Sequence, residues 1–233
     1  MCSLKVKLLI VDVDGTLTYE DQSLSIEALT ALRNVRKLGV KVGIASALPY
    51  CVVKYLTMYL GCDPILIAES GGVVEAYDDI RVLGDKEEPL KALRRLKEVY
   101  GESVVEKWSN RFRLTEIALE RNIPYDKIVN AVKDFNVEIV DTKYAYHIIA
   151  KGVSKGVALN ILMDMVNVRR DEVAVAGDSM GDYDMFKASK IRLAPANAVD
   201  EIRRIATYTS KFRGGIGFAD SVEWLITHYI SRT

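Results

Sequence analysis

The sequence predicts an α/β fold: a Rossmann-like three-layer core with a parallel sheet, interrupted by a smaller inserted α+β cap domain. Three observations lead there. Short β-branched apolar runs alternate with helical periodicity towards both ends of the chain, the pattern of parallel strands joined by crossover helices. That alternation lapses between residues 81 and 152 and then resumes. Acidic residues also cluster directly after two of the apolar runs, at the strand ends where open α/β sheets bind ligands. The expected division is a core formed by residues 1–80 and 153–233, with residues 81–152 inserted between its halves.

The elements follow in order. Residues 5–13 are an apolar run without Gly or Pro, too short for a typical helix, and read as a buried strand. In residues 25–38 the apolar positions Ile26, Leu29, Leu32, Val35 and Leu38 recur every third place before Gly39, which marks an amphipathic helix and its stop. A second strand over 40–45 ends at Ser46, and a second helix covers 49–60. The insert opens with a charged helix over 87–100. An aromatic and β-branched stretch over 112–119 predicts a strand, and a helix follows Pro124 over 125–135. Residues 137–140 and 144–149 pair as a hairpin around Asp141-Thr142-Lys143. The core resumes with a helix over 154–165, a strand over 173–176, a short helix over 185–188, a strand over 191–193 and a helix over 199–206.

Composition limits the function classes. The chain has 233 residues, 49% of them hydrophobic, and its 32 basic and 32 acidic residues cancel. Nothing in that balance draws the whole molecule to nucleic acid or to an anionic membrane, so any bound anion must be held locally. No apolar run approaches the roughly 20 residues of a membrane-spanning helix. Cys2, Cys51 and Cys62 have neither metal-ligand spacing nor a disulfide pattern, which fits a reducing, cytoplasmic setting. The expected state is a monomer or homodimer.

Chemistry is concentrated in two acidic segments. In Val11-Asp12-Val13-Asp14-Gly15-Thr16, two carboxylates one residue apart at a strand end project to the same side, and Gly15 lets the chain turn beneath them. Such a pair suits a hard divalent cation such as Mg²⁺. Asp12 can also attack phosphorus, giving an aspartyl-phosphate, and Asp14 can protonate the leaving alcohol and then activate water. The second segment, Gly177-Asp178-Ser179-Met180-Gly181-Asp182, also follows an apolar strand. Four converging carboxylates, Asp12, Asp14, Asp178 and Asp182, would repel each other strongly, so the arrangement requires a metal or shared protons. Phosphoryl transfer further needs donors against the phosphate oxygens. Ser46, at the end of the second strand, and Lys155, opening the helix before the Asp178 strand, supply them. Each of these segments alone is also compatible with an ordinary turn, helix cap or solvated lysine.

Asp-x-Asp-Gly-Thr, Ser46, Lys155 and Gly-Asp-x-x-x-Asp, in that order, resemble the four motifs of the haloacid dehalogenase superfamily of phosphatases. The tail, Ala196-Asn197-Ala198 followed by Gly214-Gly215-Ile216-Gly217, is similar to the ending of Cof-like members, which carry an α/β cap between the second and third motifs. The resemblance implies Asp12 as nucleophile, Asp14 as acid/base and metal contact, Ser46 and Lys155 as phosphate contacts, and Asp178 and Asp182 around Mg²⁺. The sequence departs from the pattern at Ala47-Leu48, where Gly and a polar residue are usual, and at Gly181, where Asn is usual.

Among small-capped members the chain looks most like archaeal-type phosphoglycolate phosphatases, with sugar phosphatases as cousins. That implies a small phosphomonoester substrate, 2-phosphoglycolate foremost. The alternatives are a sugar-phosphate phosphatase, a phosphotransferase or mutase with the same core chemistry, and, more remotely, a non-catalytic phosphate-binding module. A cap chooses the substrate because it covers the leaving group. Arg111 and Arg113, in the insert, are the expected grips for a substrate carboxylate. The two histidines, His147 and His228, are assigned structural roles, because a carboxylate mechanism needs no imidazole.

Overall fold

The structure, a computed structural model, describes residues 6–230. The first apolar run becomes β1 (Leu8–Asp12), buried along its whole length; Lys5, the expected start, lies outside the described residues, as does Cys2. Its alternate residues serve opposite layers, as the two-residue period of a strand requires. Leu9 and Val11 join one apolar core, and Leu8 and Ile10 join another.

The first half continues with α1 (Ile26–Lys37), β2 (Lys41–Ala45), α2 (Tyr50–Tyr59), β3 (Ile65–Ala68), β4 (Val73–Ala76) and β5 (Asp79–Val82). Ser25 caps α1 by accepting the Ala28 N–H, which satisfies one of the free donors of a helix start. The second half contains α5 (Lys155–Val166), β9 (Val173–Ala176), α6 (Tyr183–Ala188), β10 (Ile191–Ala194), α7 (Asp200–Ile205), β11 (Tyr208–Thr209) and α8 (Gly214–Tyr229). The strands form one sheet in the order β11-β10-β9-β1-β2-β3-β4-β5. Neighbours from β11 to β3 run parallel, and β4 and β5 are added antiparallel at one edge. The core with α1 and α8 covers one face, and the core with α5, α6 and α7 covers the other.

Chain order reverses at β1: β2 lies on one side and β9 on the other. Such a switch point opens a crevice at the carboxyl ends of the strands, and Asp12 is the last residue of β1.

Between the halves lie α3 (Glu87–Tyr100), β6 (Ile117–Leu119), α4 (Tyr125–Val132), β7 (Val137–Asp141) and β8 (Tyr146–Ala150). They form a separate antiparallel sheet, β6-β8-β7, and an apolar core of their own from α3, α4, Tyr146 and Ile148. The large sheet extends through Val82 before this unit begins.

Three sequence expectations change. The strand expected over 112–119 shrinks to β6, because Trp108–Phe112 is a 3₁₀ turn and the Leu114 and Thr115 N–H groups are taken by the Glu69 carboxylate. The apolar strands β3 and β4 and the exposed β5 were not anticipated. Nor was α8, whose first turn holds Gly214, Gly215 and Gly217, residues that read as helix breakers. Their use is steric: a Cβ on Gly215 would lie 2.1 Å from the Ser25 Cβ, and one on Gly214 would lie 2.3 Å from the Thr18 carbonyl oxygen.

Candidate active site

Register brings the predicted groups together. Asp12 lies opposite Ala45 of β2, so Ser46, the next residue, sits beside the turn that follows Asp12. The Ser46 N–H donates to the Ile67 carbonyl at 2.9 Å, and its hydroxyl accepts the Leu48 N–H at 3.1 Å. On the other side Val11 pairs with Ala176, which places Asp178 and Asp182 just beyond β9.

Lys155 joins the two segments. It is the first residue of α5, where the Ser154 cap accepts the Val157 N–H. Its Nζ donates to Asp12 Oδ1 at 2.6 Å and to Asp182 Oδ1 at 2.7 Å. Burial opposes its charge, but Asp12 and Asp182 outweigh burial and hold the ammonium protonated above its ordinary range.

The carboxylates divide by what they already hold. Asp182 is the most heavily engaged: Oδ1 accepts Lys155, and Oδ2 accepts the Asp178 N–H, the Ser179 N–H and the Ser179 hydroxyl. Asp178 accepts Lys143 at 2.8 Å and Asn197 at 3.1 Å on Oδ2, whereas its buried Oδ1 has no partner among the described residues. Asp12 engages Lys155 through Oδ1 alone. Burial, then repulsion from Asp182, pushes Asp12 well above the usual carboxylate range, and the same causes raise Asp178 to about 6.

Oxygen atoms of Asp12, Asp178 and Asp182 lie within 4.8 Å of one another. An orphaned buried oxygen among mutually repelling carboxylates is what a divalent cation relieves, and an all-oxygen donor set fits Mg²⁺. The expected fourth carboxylate, Asp14, is not in this group. Asp14 instead borders the adjoining cavity, and burial raises its pKa against the pull of Lys155 and His147. Gly15 is required beneath the pair. Its φ is +80°, and a Cβ there would lie 2.6 Å from Asp178 Oδ2.

The cavity has a volume of about 370 Å³ and lies between the large sheet and the three-stranded unit. Asp12, Asp14 and Lys155 border it from the core, and Trp108, Phe112, Arg113, Tyr144 and His147 border it from the insert. The two expected arginines part company here. Arg111 is not among the lining residues; its Nε donates to the Trp108 carbonyl and its guanidinium lies over Phe112. Arg113 borders the cavity, but its Nη1 is already used on the Ala47 carbonyl and on Glu116.

Several residues without a motif of their own converge here. His147, expected to be structural, borders the cavity. Asn197, quoted only as part of the tail, links Gly15, Asp178 and Gly214. Lys143 and Glu116 carried no sequence signal. Glu69 is fully buried and ties the Tyr50 N–H of α2 to Leu114 and Thr115 of the insert.

The profile of the haloacid dehalogenase-like hydrolases matches residues 9–106 and 109–219. A phosphoglycolate phosphatase of Methanothermobacter thermautotrophicus is 35% identical over 217 residues, covering 93% of this chain and 97% of that protein. One of Methanospirillum hungatei is 31% identical over 227 residues, covering 96% and 98%. Among solved structures, Thermoplasma acidophilum 0175 superposes with a TM-score of 0.86 at 26% identity, covering 97% of this chain and 98% of that one. A Bacteroides thetaiotaomicron phosphatase of the haloalkanoate (HAD) superfamily shares the fold, with a TM-score of 0.80 at 17% identity and coverage of 99% and 97%. With its motifs in order and its sequence matched nearly from end to end, the chain belongs to the haloacid dehalogenase-like hydrolases and is an enzyme of that family.

Proposed function

We propose that the chain is a Mg²⁺-dependent phosphatase that hydrolyses a small phosphomonoester, 2-phosphoglycolate foremost, through an aspartyl-phosphate on Asp12. The observation that carries this reading is the asymmetry of Asp12: Lys155 fixes Oδ1, Oδ2 accepts no hydrogen bond among the described residues, and Asp14 stands beside it at the cavity. The relatives named phosphoglycolate phosphatase support the substrate.

In the first step Asp12 Oδ2 attacks phosphorus, the ester P–O bond breaks, and Asp14 gives its proton to the departing alcohol oxygen. Burial favours the protonated form of Asp14 in which this donation starts. In the second step Asp14, now a carboxylate, takes a proton from water. The water oxygen attacks phosphorus, and phosphate leaves with Asp12 regenerated. Lys155 orients Asp12 and offsets negative charge as the phosphoryl group passes, with Ser46 beside it as a phosphate contact. Asp12, Asp178 and Asp182 would hold Mg²⁺, which supplies positive charge against the phosphate oxygens. The inserted unit, which begins after Val82, acts as the cap: it walls the cavity opposite the carboxylates and excludes water from the ester. A cavity of about 370 Å³ suits a compact leaving group.

The test is Asp12→Asn, which keeps the size of the side chain and removes the nucleophile. Mg²⁺-dependent release of phosphate from an aryl phosphate should fall by about 10³-fold or more. A variant that hydrolyses normally would exclude the covalent route. Wild-type release of phosphate into water from phosphoglycolate separates a hydrolase from a mutase, which would pass the group to a second substrate.

A further inference from the structure

The insert side of the cavity carries a charged trio that the phosphoryl chemistry does not use. Glu116 is fully buried. Its Oε1 takes both Arg113 Nη1 and His147 Nδ1, the latter at 2.9 Å, while Oε2 has no partner among the described residues. Burial acts to raise the Glu116 pKa, but His147 and Arg113 outweigh it and bring the carboxyl below its ordinary value. An ionised carboxylate only accepts, so the proton of this hydrogen bond sits on His147 Nδ1.

Nε2 of His147 is thereby left as the ring's outward nitrogen. Its nearest polar neighbour among the hydrogen bonds of the structure is the Thr142 hydroxyl at 3.4 Å, and that hydroxyl also donates to the Ala145 carbonyl at 3.2 Å. The strand period explains the direction of the ring. Tyr146 and Ile148 point into the core beneath α3 and α4, so His147 between them points the other way, to the cavity it borders with Asp14. Charge counting gives the chemistry of the missing partner. Arg113 already neutralises Glu116, so when the ring carries protons on both nitrogens its positive charge faces the cavity, where Asp14 is the carboxylate that feels it. A second carboxylate, arriving at Nε2, cancels it through a charge-assisted hydrogen bond.

We propose that His147 Nε2 binds the carboxylate of the substrate's leaving group, with Glu116 and Arg113 as the positioning residues that fix the ring, and that this contact selects anionic small phosphoesters over neutral ones. The inference rests on the phosphatase reading above and adds the group that recognises the far end of the substrate. It assigns to an imidazole the role that the sequence pointed to Arg111 or Arg113 for.

The experiment compares a matched pair, phosphoglycolate and ethyl phosphate, in which a methyl group replaces the carboxylate, with the full chain in Mg²⁺. Wild type should prefer phosphoglycolate. His147→Phe, which keeps the ring's bulk, should cut kcat/KM for phosphoglycolate about 10- to 100-fold more than for ethyl phosphate, chiefly through KM, as expected for losing a hydrogen bond to a charged group. His147→Gln, whose amide N–H extends towards the same place, should recover part of the preference, and it also serves if the Phe variant fails to fold. A wild type without preference, or variants that lose both substrates equally, would overturn the proposal. Failure of the phosphatase reading looks different: no phosphate is released from either ester or from an aryl phosphate. In that case calorimetry with the same two esters decides, because tighter wild-type binding of phosphoglycolate that His147→Phe abolishes supports the contact, and equal binding refutes it.

Discussion

The two walls of the cavity are built in opposite ways. On the core wall every charged group comes from the end of a buried strand, from the loop just beyond one, or from the first residue of a helix: Asp12 from β1, Asp178 and Asp182 after β9, Lys155 from α5. Sheet register and the start of α5 set their spacing, and one lysine binds two carboxylates at 2.6 and 2.7 Å. On the insert wall the groups come from the middle of β8, from the stretch before β6 and from a 3₁₀ turn; Glu116 takes both Arg113 and His147, and Arg113 also donates to the Ala47 carbonyl of the core. The core wall thus holds its spacing largely within the core, although Lys143 reaches Asp178 from the insert at 2.8 Å. Glu69 is the main exception, because its carboxylate holds groups from both sides.

Lys155→Met breaks the core wall most severely. Removing the ammonium leaves Asp12 and Asp182 buried and facing each other, a change that costs about 3–5 kcal/mol when one partner of a buried ionic set is lost. The metal-free variant should melt well below wild type, and Mg²⁺ should restore part of the difference by supplying the missing charge. Turnover of an aryl phosphate should fall about 10²- to 10³-fold, the scale for losing one transition-state donor. Unchanged melting in the absence of Mg²⁺ would mean that Lys155 is not the counter-ion the geometry makes it.

Glu69→Gln tests whether the walls are joined where they touch. The carboxylate accepts the N–H groups of Tyr50, Leu114 and Thr115 and the Thr115 hydroxyl. A glutamine keeps the shape but turns one acceptor into a donor facing other donors. The expected loss is about 1–3 kcal/mol, read from the midpoint of denaturant unfolding, with a smaller effect on turnover than Lys155→Met. An unaltered midpoint would show that the insert is held elsewhere.

The same contrast explains what could be read from the sequence. The core wall was legible because strand ends impose motifs: Asp-x-Asp-Gly-Thr and Gly-Asp-x-x-x-Asp each follow an apolar run, and crossover topology brings such runs to one edge. Asp14 was placed among the metal carboxylates because adjacency in sequence does not show which way each side chain turns. The insert wall was illegible for a different reason. Its polar groups are satisfied by partners far along the chain, as when Glu69 takes the Leu114 and Thr115 N–H groups and shortens an expected strand to Ile117–Leu119. Similarly, α8 was hidden because its glycines answer to Ser25 and Thr18, neighbours that periodicity cannot reveal.

The smallest expected effect is a pH dependence that distinguishes the walls electrostatically. Asp178 faces Asp182, Lys143 and Lys155, and burial, followed by Asp182, raises its pKa to about 6 in the folded chain against the lysines. A carboxyl raised on folding contributes stability that is fully present below its unfolded pKa and is lost as pH rises through the folded one. The metal-free chain should therefore lose this contribution between about pH 4 and 7, and Asp178→Asn should not. The melting-temperature advantage of wild type over Asp178→Asn should shrink across that window by a few degrees, since 1 kcal/mol moves a chain of this size by about 2–4 °C. Mg²⁺ competes with the same proton, so its stabilisation of wild type should grow over the same range. A difference between the two proteins that is flat in pH, with or without Mg²⁺, would mean that Asp178 is ionised throughout and that the acidic cluster is less crowded than its distances imply.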